Sequence, residues 1–127
     1  MGRKKPLLDE ILVLDLEATC WDDEISVQPE GVSNEIIEIG LATLNIQTGI
    51  ITRGDLWLVA PEESTVSEFC TQLTTWKQED VEQGMPFKAS CSLLRKGFSS
   101  KRRVFASWGN YDRRQSERQC TRMGVPY

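Results

Sequence analysis

Two carboxylates stand two residues apart in an otherwise apolar run, Ile11-Leu12-Val13-Leu14-Asp15-Leu16-Glu17-Ala18. In an extended strand alternate side chains share a face, so Asp15 and Glu17 project together. Two such acids repel each other, and burying them without a partner is strongly unfavourable. A bound divalent cation relieves both problems, and hard oxygen donors of this kind suit Mg²⁺ or Mn²⁺. The plainer alternatives are acids at an exposed strand end, or acids paired with arginine. Asp112 is the third candidate. It follows a short apolar run, Val104 to Trp108, and opens a basic segment of helical character. If that run lies parallel beside the first strand, Asp112 arrives where Asp15 and Glu17 sit. Its ordinary alternative is helix N-capping, and the two roles are compatible.

The elements that must position these acids can be read from period and punctuation. The run 11–18 has strand length and reads as buried on both faces, as in the middle of an α/β sheet. A loop rich in Asp, Glu, Pro and Gly covers 19–33. Glu35 to Ile46 reads as a second strand, Gln47-Thr48-Gly49 as a turn, and Ile50 to Val59 as an antiparallel partner ended by Ala60-Pro61. The period then becomes helical at Val66, Phe69, Cys70 and Leu73, with Ser64 or Ser67 as N-cap and Glu68 in the first turn. A short helix over 78–83 is closed by Gly84, and a weaker helical stretch covers 87–98. A fourth strand covers 104–108, Gly109-Asn110 turns the chain, and a basic helix runs from Asp112 to Met123 and ends at Gly124. This order implies an α/β domain with a mixed sheet.

Bulk properties narrow the chemistry. The 127 residues suit one domain, with residues 1–8 as a basic N-terminal tail. Nothing approaches the ~18–20 apolar residues of a membrane span, and Asp9 and Glu10 interrupt the start before any signal-like apolar stretch. Cys20, Cys70, Cys91 and Cys120 form no CxxC pattern and read as free, mostly buried thiols of a cytoplasmic protein. There is no histidine, which excludes Ser-His-Asp, Cys-His and His-metal mechanisms within this chain. Residues 1–87 carry five Lys/Arg against 17 Asp/Glu, a net of −12, whereas residues 88–127 carry ten against two, a net of +8. That asymmetry suits a chain that meets cations with one part and a polyanion with another, although solvated helix faces would produce it too.

Several segments together resemble a known family. Val13-Leu14-Asp15-Leu16-Glu17-Ala18-Thr19-Cys20 resembles the first exonuclease motif of the DEDD (DnaQ-like) superfamily, in the branch of the histone-mRNA 3′-end exonuclease, its enhanced-RNAi relatives and KapD-like proteins. Asn34 to Gly40 resembles that family's second strand, Val66 to Thr74 the segment leading into its "LTGIT" element, and Phe105 to Asp112 its second exonuclease motif. The similarity is collinear from about residue 8 to 127. It implies an RNase H-like fold, with strand order 3-2-1-4 here, and two-metal phosphodiester hydrolysis at single-stranded 3′ ends, of RNA rather than DNA. Asp15 would then bridge two Mg²⁺ or Mn²⁺ ions, Glu17 would bind the first, and Asp112 would hold the second, largely through water. Ala18 and Thr19 would lie against the terminal nucleotide. Trp108 or Tyr111 would stack on a base, with core packing as the plainer role for both, and Trp21 is a further stacking candidate.

Two departures qualify the resemblance. The family's last motif carries a histidine base and a fourth acid, and this chain stops at Val125-Pro126-Tyr127, where that part should begin. The expectation is an incomplete domain without the fifth strand and final helix, impaired as a catalyst, and able to self-associate through the open edge of strand four. A non-catalytic nucleic-acid-binding module, or a protein-interaction module on the same scaffold, is the alternative. The second departure is Thr74-Thr75-Trp76-Lys77, where Gly-Ile-Thr is usual after Leu-Thr, and it bears on substrate placement.

Overall fold

The computed structural model describes residues 4–127, and the first three residues of the expected basic tail lie outside them. Strands β1 (Glu10–Ala18), β2 (Ile36–Asn45) and β3 (Ile51–Ala60) form an antiparallel meander. Helices α1 (Glu68–Thr74) and α2 (Gln78–Val81) follow, then a two-residue strand β4 (Met85–Pro86) and helix α3 (Phe87–Gly97). A 3-10 turn (Ser100–Arg102), strand β5 (Val104–Ala106) and helix α4 (Tyr111–Met123) complete the order. The sheet order is β4-β3-β2-β1-β5. The expected order 3-2-1-4 therefore needs correction, because the sheet carries an additional strand, β4, parallel to β3. The strand expected over 104–108 is β5, shortened to three residues, and it does lie parallel to β1.

Gly84 explains why β4 went unseen. It does not close α2 as a left-handed cap; that helix ends at Glu82 in right-handed conformation. A Cβ at Gly84 would instead meet Leu58 C at 2.5 Å and Val59 N at 2.8 Å. Only a glycine lets the chain pass this close to β3 and form the Val59–Met85 bridge. At the start of α1, the β2–β3 turn and the end of α4, local signals and structure agree. The Ser67 hydroxyl caps α1 by accepting the Cys70 N–H at 3.0 Å. Gly49 (φ +69°) lies in the turn between β2 and β3, and Gly124 (φ +67°) ends α4.

Beta-strand β1 is not buried on both faces. Leu12, Leu16 and Ala18 are buried against the helices, whereas Val13 and Asp15 are exposed on the opposite face. The main core joins Leu16, Ile36, Ile39 and Val59 to Phe87 and Cys91 of α3 and Cys120 of α4. On the other face Val13, Gly40, Ala42, Gly54 and Leu56 line a shallow apolar groove. The start of the chain is tied down, since the Leu7 N–H donates to Arg102 O at 2.7 Å and Arg102 Nε donates to Lys5 O at 3.0 Å. All four cysteines are free, three of them buried. Among the described residues no helix is long and apolar enough to cross a membrane.

Candidate active site

Strand period and register assemble the first half of the site. Asp15 and Glu17 share the open face of β1, opposite Gly40 and Glu38 of β2. Gly40 has no side chain to cover the flank of Asp15. Glu38 places a third carboxylate directly across from Glu17, and like charges in that position destabilise a sheet. Burial raises the Glu17 pKa above its ordinary value of 4.5, and the charges of Asp15, Glu38 and Asp112 raise it further.

The second half arrives through β5. Because β5 runs parallel to β1, the turn around Gly109 (φ +75°) delivers the first turn of α4 to the end of β1 carrying the acids. Asp112 sits in that turn, 5% exposed. It is not the N-cap, a position held by Asn110. The backbone amide of Leu16 acts to lower its pKa. Burial and the Asp15 charge nevertheless hold its pKa above the ordinary 3.8. Asp15, Glu17 and Asp112 thus share one electrostatic neighbourhood in which each added negative charge is opposed.

The donor set consists of hard carboxylate oxygens whose mutual repulsion a divalent cation would relieve, so its chemistry fits Mg²⁺ or Mn²⁺. Its geometry is not closed: among the described residues no three His, Cys, Asp or Glu side chains gather tightly enough to surround an ion.

The other expected site residues divide. Trp108 is 99% exposed and Tyr111 is half-exposed, so core packing does not describe Trp108. Tyr111 lies near Cys20, Asp112 and Glu17, whose charges help raise its pKa after burial. Ala18 and Thr19 are buried. Thr19 is occupied by the scaffold: its N–H donates to Glu35 O at 2.8 Å, its carbonyl accepts from Asn34 Nδ2 at 2.5 Å, and its hydroxyl accepts the Glu35 N–H at 2.8 Å.

Sequence reasoning missed the residues that hold this neighbourhood together. Glu35, read as the start of a strand, precedes β2, is 1% exposed and receives Glu62, Glu63 and Ser64. The Trp76 indole N–H donates to the Glu38 carboxylate, so the segment Thr74–Lys77 reaches the acidic face. Thr75 just before it has a left-handed backbone, φ +71°. Pairing β1 with β2 on paper would have brought Glu38 to Glu17. No local pattern announces Glu35, and the departure at Thr74–Lys77 gave no sign that Trp76 reaches Glu38.

A three-stranded meander, a parallel fourth partner and carboxylates at the end of the central strand define an RNase H-like nuclease fold. Comparison with known proteins agrees. No family model matches the chain. ERI1 exoribonuclease 2 of Homo sapiens is 36% identical over 111 residues, covering 84% of this chain and 16% of that protein. The 3′-5′ exonuclease Snipper of Drosophila melanogaster is 32% identical over 95 residues, covering 74% of this chain and 33% of that protein. The nuclease domain of 3′hExo, a DEDDh family member solved bound to rAMP, superposes with a TM-score of 0.80 at 25% identity, covering 98% of this chain and 64% of that domain. The chain belongs to the DEDDh family of 3′–5′ exonucleases, in the branch of the ERI1-type and histone-mRNA enzymes. It spans about a sixth to a third of the length of these two curated relatives.

Proposed function

We propose that this chain supplies the metal-binding part of an active site that removes nucleotides from single-stranded RNA 3′ ends. The observation that carries the reading is the convergence of Asp15, Glu17 and Asp112, from a strand and a helix almost one hundred residues apart, on one locale where their charges oppose each other. By family pattern Asp15, Glu17 and Asp112 would hold two divalent cations, with Asp15 and Glu17 from the strand and Asp112 from the helix. Such ions, when bound, polarise the scissile phosphate and lower the pKa of an attacking water. The protein's own part is to aim the carboxylates, to exclude other cations by donor type, and to seat the RNA. Exposed Trp108 and half-exposed Tyr111 flank the first turn of α4 and offer stacking faces, each contributing roughly 1–3 kcal/mol per base. Phosphates meet the basic segment 88–127.

RNA is the favoured substrate because the relatives are named as exoribonucleases, and one solved relative with 27% identity recognises the 3′ end of a histone-mRNA stem-loop. Hydrolysis by this chain alone is expected to be slow, since it contains no histidine to act as general base, a role that typically contributes ~10²–10⁴-fold. A non-catalytic RNA-binding role is the second reading, and the unclosed carboxylate geometry favours it. Self-association belongs to the same proposal: Val104, Phe105 and Ala106 are exposed on β5 at the sheet edge.

The test is Mn²⁺-dependent shortening of a 5′-labelled single-stranded RNA, with Asp15→Asn as control and Trp108→Ala in a parallel binding assay. Stepwise 3′ loss that Asp15→Asn abolishes supports the nuclease reading. Salt-dependent binding without turnover moves the chain to the second reading. Sedimentation over a concentration series reports on association.

A further inference from the structure

The half of α4 that carries Asp112 has almost nothing apolar to hold it. The helix reaches the main core only near its C-terminus, through Cys120 and Met123, with Val125 beyond. Between Tyr111 and Gln119 the buried residues are Asp112, Gln115 and Gln119. Their spacing of three and four places them on one helical face. Gln115 is 2% exposed and Gln119 is 1% exposed, and both aim at the segment leading into β2. Gln119 Oε1 accepts the Ile36 N–H at 2.8 Å, and Gln115 Nε2 donates to Asn34 O at 3.0 Å. The Ile36 amide can only donate, which settles the orientation of the Gln119 side chain. Gln115 Nε2 also lies 3.5 Å from Gln119 Oε1, so the two amides are linked.

The same segment is fastened to the other half of the site. Asn34 Nδ2 donates to Thr19 O at 2.5 Å, and Thr19 N donates to Glu35 O at 2.8 Å, one residue beyond the end of β1. A continuous set of hydrogen bonds therefore runs from the strand bearing Asp15 and Glu17, through Thr19 and Asn34 to Ile36, to the helix bearing Asp112. Hydrogen bonds fix axial register, whereas an apolar contact tolerates sliding.

We propose that Gln115 and Gln119 are positioning residues that lock α4 to the Asn34–Ile36 segment and so hold Asp112 against the end of β1. This rests on the reading of Asp15, Glu17 and Asp112 as a metal-binding set. A leucine or methionine face would bury the helix equally well, but it would not set how far Asp112 stands along β1.

The experiment is amide NMR on the full chain, comparing wild type with Gln119→Met, which keeps the bulk and removes the acceptor, and Gln119→Glu, which keeps the acceptor. Gln115→Met serves as a second probe should Gln119→Met fail to fold. Three signals are read: Ile36 amide exchange, the chemical shift of the Leu16 amide near Asp112, and Mn²⁺ affinity from broadening at Asp15 to Glu17. In Gln119→Met the Ile36 amide should exchange roughly 5–10-fold faster. The Leu16 amide should shift, and Mn²⁺ should bind about 10–100-fold more weakly, as for other losses of ligand-orienting contacts. Gln119→Glu should restore most of both. Loss of Ile36 protection with Leu16 and Mn²⁺ affinity unchanged overturns the proposal. Should wild type take up no Mn²⁺ at all, the metal reading fails on its own account, and the Leu16 amide alone decides whether the glutamines position Asp112.

Discussion

Replacing Glu35 by glutamine should destabilise the protein by about 2–3 kcal/mol at neutral pH, a figure that follows from its four hydrogen bonds. Glu62 N–H donates to Oε2 at 2.8 Å, while Glu63 N–H, Ser64 N–H and the Ser64 hydroxyl donate to Oε1 at 2.9, 2.5 and 2.6 Å. A glutamine can present its carbonyl in place of Oε1 and keep three of these bonds. Its NH₂ group then faces the Glu62 N–H, donor against donor. One charge-assisted bond is lost, about 1.5–3 kcal/mol, and three become neutral, partly offset by removing a desolvated charge. The pH dependence gives a second, independent check. Burial pushes the Glu35 pKa up, but the bonds from Ser64, Glu62 and Glu63 outweigh it, and the net shift is below the ordinary 4.5. A depressed carboxyl pKa contributes stability above the unfolded-state value and loses it as pH falls through the folded-state value. The gap between wild type and Glu35→Gln should therefore be full at pH 7 and shrink below about pH 4.5. Urea unfolding over a pH series measures it, with hydrogen exchange at Glu62 to Ser64 as the local readout. A gap below about 0.5 kcal/mol at pH 7, or one that stays constant into the acid range, would refute the reasoning.

The acidic face should behave in the opposite sense. Glu17 has a raised pKa, so its contribution favours folding below the unfolded-state value and is lost as pH rises through the folded-state value. Glu17→Gln in metal-free buffer at pH 7 should thus raise stability by about 0.5–1 kcal/mol, seen as a higher melting temperature, and the gain should disappear under acid or on adding Mn²⁺; a lower melting temperature at pH 7 would contradict the repulsion. Gly84→Ala would drive a methyl group to 2.5 Å from Leu58 C, costing about 1–3 kcal/mol, and calorimetry showing an unchanged midpoint would mean β4 is not pinned there. Thr75→Gly should stabilise by about 1 kcal/mol, because a β-branched residue at φ +71° carries strain that glycine does not. Equal urea midpoints for that pair would remove the strain argument.

Much of this architecture was legible in local pattern. Period two set Asp15 and Glu17 on one face, and a serine three residues before the Cys70 amide began α1. Gly124 ended α4 in the left-handed conformation that favours glycine. Placing Asp112 beside the strand acids needed one further step, the assumption that β5 runs parallel to β1, and the register between Ile11 and Val104 bears it out. Each of these inferences uses residues within a few positions of one another, or a single pairing of two obvious strands.

What tertiary structure alone decided concerns groups whose partners are distant in sequence. Gly84 looked like a helix stop, and only the approach of Leu58 revealed its use. Trp108 looked like core in an apolar run, yet β5 ends at Ala106 and leaves the indole in solvent. Nothing local distinguished Gln115 and Gln119 within the basic helix, because a glutamine's burial depends on a partner that lies 81 or 83 residues away. Composition and period report what one segment prefers. They carry no information on which distant amide or carboxylate satisfies a buried polar group. Local pattern thus marked Asp15, Glu17 and Asp112 as candidates and identified the strand and helix that carry them. The packing of the Asn34–Ile36 segment between β1 and α4 decided how those acids are held together.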